Sequence, residues 1–175
     1  MKRKAIFLDR DGVLNDAIVK DGLPYAPLSI AELTIPGDAN SALCLLKSAG
    51  FLLIVVTNQP DVARGKSTRK SVEEINRKLQ ELLPLDDFFV CYHDNDDHCP
   101  CRKPLPGLLI DAAAKHNIDV AQSFMIGDRW KDIEAGTAAG CKTILLDNEY
   151  LEKKSDNPPD FIVESLTEAA RFIIS

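Results

Sequence analysis

Asp9 and Asp11 stand two residues apart in Asp9-Arg10-Asp11-Gly12-Val13, directly after a short apolar run. At neutral pH two such carboxylates repel each other. A hard divalent cation such as Mg²⁺ relieves the repulsion and prefers oxygen ligands. Asp128, at the end of another apolar run, is a third oxygen donor for the same ion. That ion would neutralise an incoming phosphate and hold it in line for attack. Gly12 allows the tight turn and close backbone approach that a crowded anionic site needs.

A second constellation is Cys91-x-His93, five further residues, then Cys99-x-Cys101. Three thiolates and one imidazole make a closed tetrahedral set, the pattern of structural rather than catalytic zinc. Zn²⁺ there would staple a segment with little apolar content of its own. His98 competes for the ligand role, but it adjoins Cys99. Reduced thiols in a polar loop are the plain alternative. Of the remaining cysteines, Cys44 lies on an apolar helix face and Cys141 precedes a strand, so both are expected in the core. His116, near a helix end, is expected to be solvated or to act as a C-terminal charge.

These side chains need elements to carry them. Apolar runs predict strands over 4–8, 51–57, 88–92, 123–127, 142–146 and 161–163. The run FLLIVVT is apolar almost throughout, as a strand covered on both faces should be. Helical periodicity predicts helices over 38–49, 68–83, 106–116, 130–139 and 166–174. In the first, Asp38 is a candidate N-cap and Gly50 a stop; Ala39, Ala42, Leu43, Leu46 and Ala49 share a face. Strand and helix alternate, which implies an α/β fold with a mostly parallel sheet and helices on both faces. Ligands in such sheets bind beyond the carboxyl ends of the strands. Asp9, Asp11, Thr57, Asn58, Gly127 and Asp128 all fall there. Residues 15–33 and 153–159 are the least regular; the first is expected to wall the site and the second to be a surface loop.

The DxDGV segment resembles the first motif of the haloacid-dehalogenase (HAD) superfamily of aspartate-nucleophile phosphatases. Thr57 matches the second motif's hydroxyl, Lys103 in CRKP the motif lysine, and Gly127-Asp128 with Asp132 the acidic fourth motif. The resemblance covers essentially the whole chain and implies an HAD-like Rossmannoid fold without a large cap domain. It implies that Asp9 attacks phosphorus, while Asp11 protonates the leaving group and then activates water. Thr57 and Lys103 would hold the phosphoryl oxygens. Asp9, Asp128 and the Asp11 backbone carbonyl would ligate Mg²⁺, with Asp132 supporting that site without touching the ion.

The run CxCRKPxPG, with TNQ and a downstream ARG, also resembles the bacterial heptose-bisphosphate phosphatases and the related histidinol-phosphate phosphatases. In that family the residue before the motif lysine recognises substrate, a role that falls to Arg102. Asn58 and Gln59 would contact the sugar. Arg129 would add charge near the pocket or else form a surface ion pair. Pro60 stands where the heptose enzymes usually carry Ser or Thr, and residues 17–27 match the family poorly. The resemblance implies a phosphatase acting on heptose 1,7-bisphosphate at the 7-position. Histidinol phosphate is the alternative substrate; nucleic-acid ends and a catalytically silent phosphate-binding module are remoter readings.

Bulk properties bound the partners. A chain of 175 residues suits one compact domain over 1–175, with 91–101 as an inserted zinc loop. Apolar residues at 45% and charged residues at 27% exclude a disordered chain. A net charge of −6 and a pI near 5.1 argue against nucleic-acid or anionic-membrane partners. The apolar run after Lys4 is too short for a signal-peptide core, and no stretch approaches the ~20 apolar residues of a membrane span. The expectation is a cytoplasmic monomer that takes a small phosphorylated molecule as substrate.

Overall fold

The computed structural model describes residues 2–175. In chain order its strands are β1 (Ala5–Leu8), β2 (Ile18–Lys20), β3 (Leu23–Tyr25), β4 (Leu52–Asn58), β5 (Asp87–Cys91), β6 (Phe124–Gly127), β7 (Lys142–Leu146) and β8 (Phe161–Val163). The helices are α1 (Ala39–Ser48), α2 (Arg69–Leu82), α3 (Gly107–His116), α4 (Trp130–Ala139) and α5 (Leu166–Ile174). Six strands form one sheet in the order β5-β4-β1-β6-β7-β8, and every pairing is parallel.

Strand alternation sorts the core into two layers. Ile6, Leu8, Leu53 and Val55 face one way, against Leu43 and Leu46 of α1, Ile75 and Leu79 of α2, and Leu166 and Ala169 of α5. Ala5, Phe7, Leu52, Ile54 and Val56 face the other, against Leu108, Leu109 and Ala112 of α3 and Ala135 of α4. Both faces of β1 and β4 are therefore dry, which is why their sequences read as unbroken apolar runs.

The chain runs outward from β1 to β4 and β5, then crosses back to β6 on the other side of β1. Neighbouring strand ends thus send their loops in opposite directions, and a crevice opens above β1. Asp9 follows β1, Thr57 and Asn58 end β4, and Asp128 follows β6.

Several sequence expectations need correction. Residues 15–33 are not wholly irregular: β2 and β3 pair antiparallel as a hairpin. Its two-residue turn is Asp21-Gly22, both with positive φ (52° and 75°), the geometry an Asp-Gly pair favours. Cys44 is exposed rather than in the core, because it sits one residue beyond Leu43 and so turns off the buried Ala39, Ala42, Leu43, Leu46 stripe. Ala49 lies past the last helical residue and is exposed too. Asp38 occupies the N-cap position of α1 without capping it. Its carboxylate instead accepts from the Thr167 N–H and hydroxyl, each at 3.0 Å, in the first turn of α5. Cys141 is buried. His116 Nε2 donates to Asp87 Oδ2, 2.7 Å away, and the ring is half-buried rather than free in solvent.

Candidate active site

Four charged side chains converge where β1, β4 and β6 end. Lys103, only 2% exposed, reaches Asp9 Oδ1 at 2.9 Å and Asp132 Oδ1 at 2.6 Å. Asp9 Oδ1 also accepts the Arg10 backbone N–H at 2.8 Å. Asp132 Oδ2 accepts the Arg129 N–H at 3.0 Å, closing the first turn of α4. Gly127 has to be glycine here: a Cβ would lie 2.1 Å from the Asp132 side chain.

Asp128 is different. Both its oxygens are buried and make no well-formed hydrogen bond; the Tyr150 hydroxyl is the one donor nearby, and no cationic side chain among the described residues pairs with them. A buried, unsatisfied carboxylate is costly, so it needs a cation. Carboxylate oxygens of Asp9, Asp128 and Asp132 lie within 4.8 Å of one another, close enough to share one ion. Asp132 is already spent, both oxygens being engaged by Lys103 and Arg129, whereas Asp9 has only Oδ1 engaged and keeps Oδ2. Gly12, at φ +86°, brings its backbone so close that a Cβ would fall 1.8 Å from Asp128 Oδ2.

The electrostatics agree. Burial first, and then Asp132, push the Asp9 carboxyl up to about 6, against the opposing pull of Lys103. Burial, with Asp9 and Asp132 beside it, raises Asp128 well above the carboxylate range. Burial works against the charge on Lys103, but Asp132 and Asp9 outweigh it and hold the ammonium above its ordinary value. One ammonium thus faces three carboxylates, and a divalent cation fits the remaining deficit.

Asp11 points elsewhere. Its carboxylate is gripped by the Arg10 guanidinium, with Nε to Oδ1 at 3.1 Å and Nη2 to Oδ2 at 3.2 Å. Gln59 Nε2 donates to Oδ2 at 2.7 Å and Asn15 Nδ2 to Oδ1 at 3.1 Å. Gln59 Nε2 also reaches the buried Thr57 hydroxyl at 3.0 Å. Asn58 exchanges two bonds with the Lys103 backbone, donating to the carbonyl at 2.9 Å and accepting the N–H at 3.1 Å. Both amides line the cleft, where the sequence reading placed them, and Asn58 and Gln59 Nε2 also brace Lys103, Asp11 and Thr57.

The cleft above these groups has a volume of about 220 Å³. Leu23, Pro24 and Tyr25 of the hairpin wall one side, as expected of this segment. Arg64, Arg102, Arg129 and Lys131 line it as well. Arg102 is nearly buried and hangs from the Cys/His loop, with Nε to Asn95 Oδ1 at 2.9 Å and Nη1 to the His93 carbonyl at 3.2 Å. Arg129 lines the cleft and is also clasped by Glu152, through Nε to Oε2 at 2.8 Å and a second bond from Nη2 to Oε1. Cleft position and ion pair coexist.

The structure brings Cys91, His93, Cys99 and Cys101 into one cluster, with ligand atoms within 4.8 Å of one another. Cys101 Sγ lies 3.1 Å from Cys91 Sγ, 3.4 Å from Cys99 Sγ and 3.3 Å from His93 Nδ1. None of these cysteines is in a disulfide. Burial opposes ionisation of Cys99, but hydrogen bonds from Cys101 and the Arg102 N–H bring its thiol down to about 7. Burial holds Cys91 and Cys101 above the usual thiol value, a cost that a tetrahedral thiophilic cation removes. His98, at φ 47°, ends the intervening turn and stays outside the cluster.

Sequence reasoning overlooked Arg10, Asn15, Asn76, Lys131 and Glu152. A usable signal existed for Asn76, a polar residue inside the Val72, Ile75, Asn76, Leu79 stripe that α2 buries. Glu152 lies in an irregular loop and carried none.

A family model described as HAD-hydrolase-like matches residues 100–169. The chain is 39% identical to the D-glycero-beta-D-manno-heptose-1,7-bisphosphate 7-phosphatase of Helicobacter pylori, over 82% of this chain and 83% of the relative. It is 33% identical to the Escherichia coli K12 protein of the same name, over 97% and 93%. The solved structure of a D,D-heptose 1,7-bisphosphate phosphatase from B. bronchiseptica, complexed with magnesium and phosphate, matches with a TM-score of 0.83 at 30% identity and 98% coverage of both chains.

Proposed function

The chain belongs to the D-glycero-beta-D-manno-heptose-1,7-bisphosphate 7-phosphatase family of HAD-like hydrolases, and on that premise we propose that it removes the 7-phosphate of that sugar through an aspartyl-phosphate on Asp9. The observation that carries the reading is the buried Asp9–Lys103–Asp132 bridge beside Asp128, a buried carboxylate with no cationic partner among the described residues, the bridge opening on a cleft lined by four cationic side chains.

An Asp9 oxygen attacks phosphorus as the bond to the sugar oxygen breaks. Asp11 gives its proton to that departing oxygen. It then takes a proton from the water that splits the aspartyl-phosphate, which releases inorganic phosphate and restores both carboxyls. Lys103 and Thr57 hold the non-bridging oxygens. Mg²⁺, held by Asp9, Asp128 and the Asp11 carbonyl, supplies the positive charge that lets an anionic phosphate approach a carboxylate. Asp132 orients Lys103 rather than the ion. Zn²⁺ at Cys91, His93, Cys99 and Cys101 staples the loop that carries Arg102.

A substrate with two phosphates leaves one outside the reacting centre. Arg102 and Lys131 suit that second anion, with Arg129 and Arg64 along the same cleft already paired to Glu152 and Asp94. The same cations oppose the ammonium of histidinol phosphate, the alternative substrate with the same chemistry. A net charge of −6 counts against nucleic-acid ends, and the complete catalytic set against a silent binding module. The same reading makes the protein a single-domain cytoplasmic monomer.

Phosphate release from heptose 1,7-bisphosphate and histidinol phosphate, compared with Mg²⁺ and with chelator, tests the substrate. The expected result is Mg²⁺-dependent preference for the heptose; preference for histidinol phosphate overturns the substrate and keeps the chemistry.

A further inference from the structure

Arg10 is 0% exposed, the largest fully buried side chain among the described residues. A buried guanidinium is costly unless its donors are spent. Nε and Nη2 go to Asp11, and Nη1 goes to Asn76 Oδ1 at 3.0 Å. Asn76 is itself buried on the stripe of α2 that packs against the sheet. We propose that Arg10 and Asn76 are a positioning pair that fixes the Asp11 carboxyl for proton transfer to the leaving group. The proposal rests on the reading of Asp11 as the acid–base.

The geometry favours aim over simple charge balance. Asp11 is held on one flank by the two-pronged grip of Arg10 and on the other by Gln59 and Asn15. Only 15% of its side chain is left accessible, on the edge that meets the cleft. Rotation about its side-chain bonds would break several bonds at once. Asn76 is suited to its part because it is neutral. It orients the guanidinium and leaves Nε and Nη2 to hold Asp11 in one place. A carboxylate at position 76 would draw Arg10 off. Helix α2, whose own contribution looks purely structural, thereby sets where the proton is delivered. Misplacement of an acid by a fraction of an ångström is enough to lose rate.

Leaving-group dependence separates this role from a structural one. An alkoxide needs a proton as it departs; 4-nitrophenolate does not. kcat/KM reports the transfer to Asp9, so it isolates that step. Asn76→Leu, Asn76→Asp and Arg10→Lys are compared with the parent protein on a sugar phosphate and on 4-nitrophenyl phosphate, with folding checked by thermal melts. We expect tenfold or greater loss on the sugar phosphate and less than threefold loss on the aryl ester. Parallel losses on both esters, or no loss on either, overturn the proposal. Asn76→Leu is near-isosteric and carries the test if Arg10→Lys fails to fold. Asp11→Asn is the reference: equal loss on both esters would overturn the acid role itself, which distinguishes failure of that reading from failure of the positioning pair.

Discussion

Lys103 is the residue on which the site balances. Its ammonium is the direct counter-charge to Asp9 and Asp132 and is itself almost wholly buried. Replacing it by Met leaves two buried carboxylates facing each other. We expect Lys103→Met to cost about 3–5 kcal/mol in urea unfolding, the scale of a broken buried pair, and to reduce turnover to background. Asp9→Asn is milder for the fold, because an amide fits the same space and relieves some repulsion. It removes the nucleophile, so kcat should fall by on the order of 10⁴-fold or more with stability held or raised. Unchanged turnover in Asp9→Asn would falsify the covalent mechanism. Cys44, by contrast, is exposed and bonds only to Asn40 Oδ1 among the described residues, at 3.8 Å, away from the site.

Loops acquire order here through other elements. Arg102 takes its position from the Asn95 side chain and the His93 carbonyl, both inside the Cys/His loop. On the proposal that the cluster holds zinc, a thiophilic chelator followed by Mg²⁺ in excess should therefore raise KM several-fold while kcat changes less. An unchanged KM in the zinc-free protein would separate Arg102 from the metal. The connection after β7 is tied down in a similar way. Asn148 Nδ2 donates to the Gly12 carbonyl at 3.0 Å, and the Leu151 N–H to the Gly22 carbonyl at 2.9 Å. Glu134 of α4 accepts from Ser155 Oγ at 2.6 Å and from the Asn157 N–H at 3.0 Å, contacts that bring its carboxyl down to about 2. A carboxyl lower in the fold than in the unfolded chain stabilises above its unfolded value, and that contribution is lost as pH falls towards 2. Hydrogen-exchange protection factors over residues 153–157, corrected for the intrinsic rate, should fall between about pH 4.5 and 2, and Glu134→Gln should show the lower protection already at pH 7.

For the whole molecule, the topology brings the excess negative charge together. β1 lies between β4 and β6, so carboxylates distant in sequence end in one buried cluster. The fold tolerates this cluster with one lysine and needs a cation for the rest. Mg²⁺ should bind the native state and not the unfolded chain. At about a hundred times its dissociation constant it should stabilise by about 2.7 kcal/mol. For a chain of this size that raises Tm by about 5–10 °C. Differential scanning calorimetry with Mg²⁺ or chelator measures this, and no shift would remove Asp128 from the metal site. Sedimentation should return the 19.3 kDa of one chain.

The fold class was legible because periodicity and composition are local properties. Buried parallel strands must be apolar on both faces, so 51–57 announced itself as β4 to within one residue. Asp9, Thr57 and Asp128 were legible because each sits where an apolar run breaks, and Lys103 because CRKP, in order with those three, resembles a known family's motifs. The Cys/His cluster was legible from spacing alone, since its ligands lie within eleven positions. Other features depended on contacts between distant parts of the chain. Asn58 and Gln59 look free to bind a ligand in one dimension, but the amides meet Lys103, Asp11 and Thr57 once the strand ends converge. Arg10 and Asn76 are 66 positions apart, and no local pattern joins them. Arg129 finds Glu152 only because the connection after β7 folds back over α4. A sequence records which residues are apolar and how often; which polar atoms satisfy one another is decided by where the packed elements leave them.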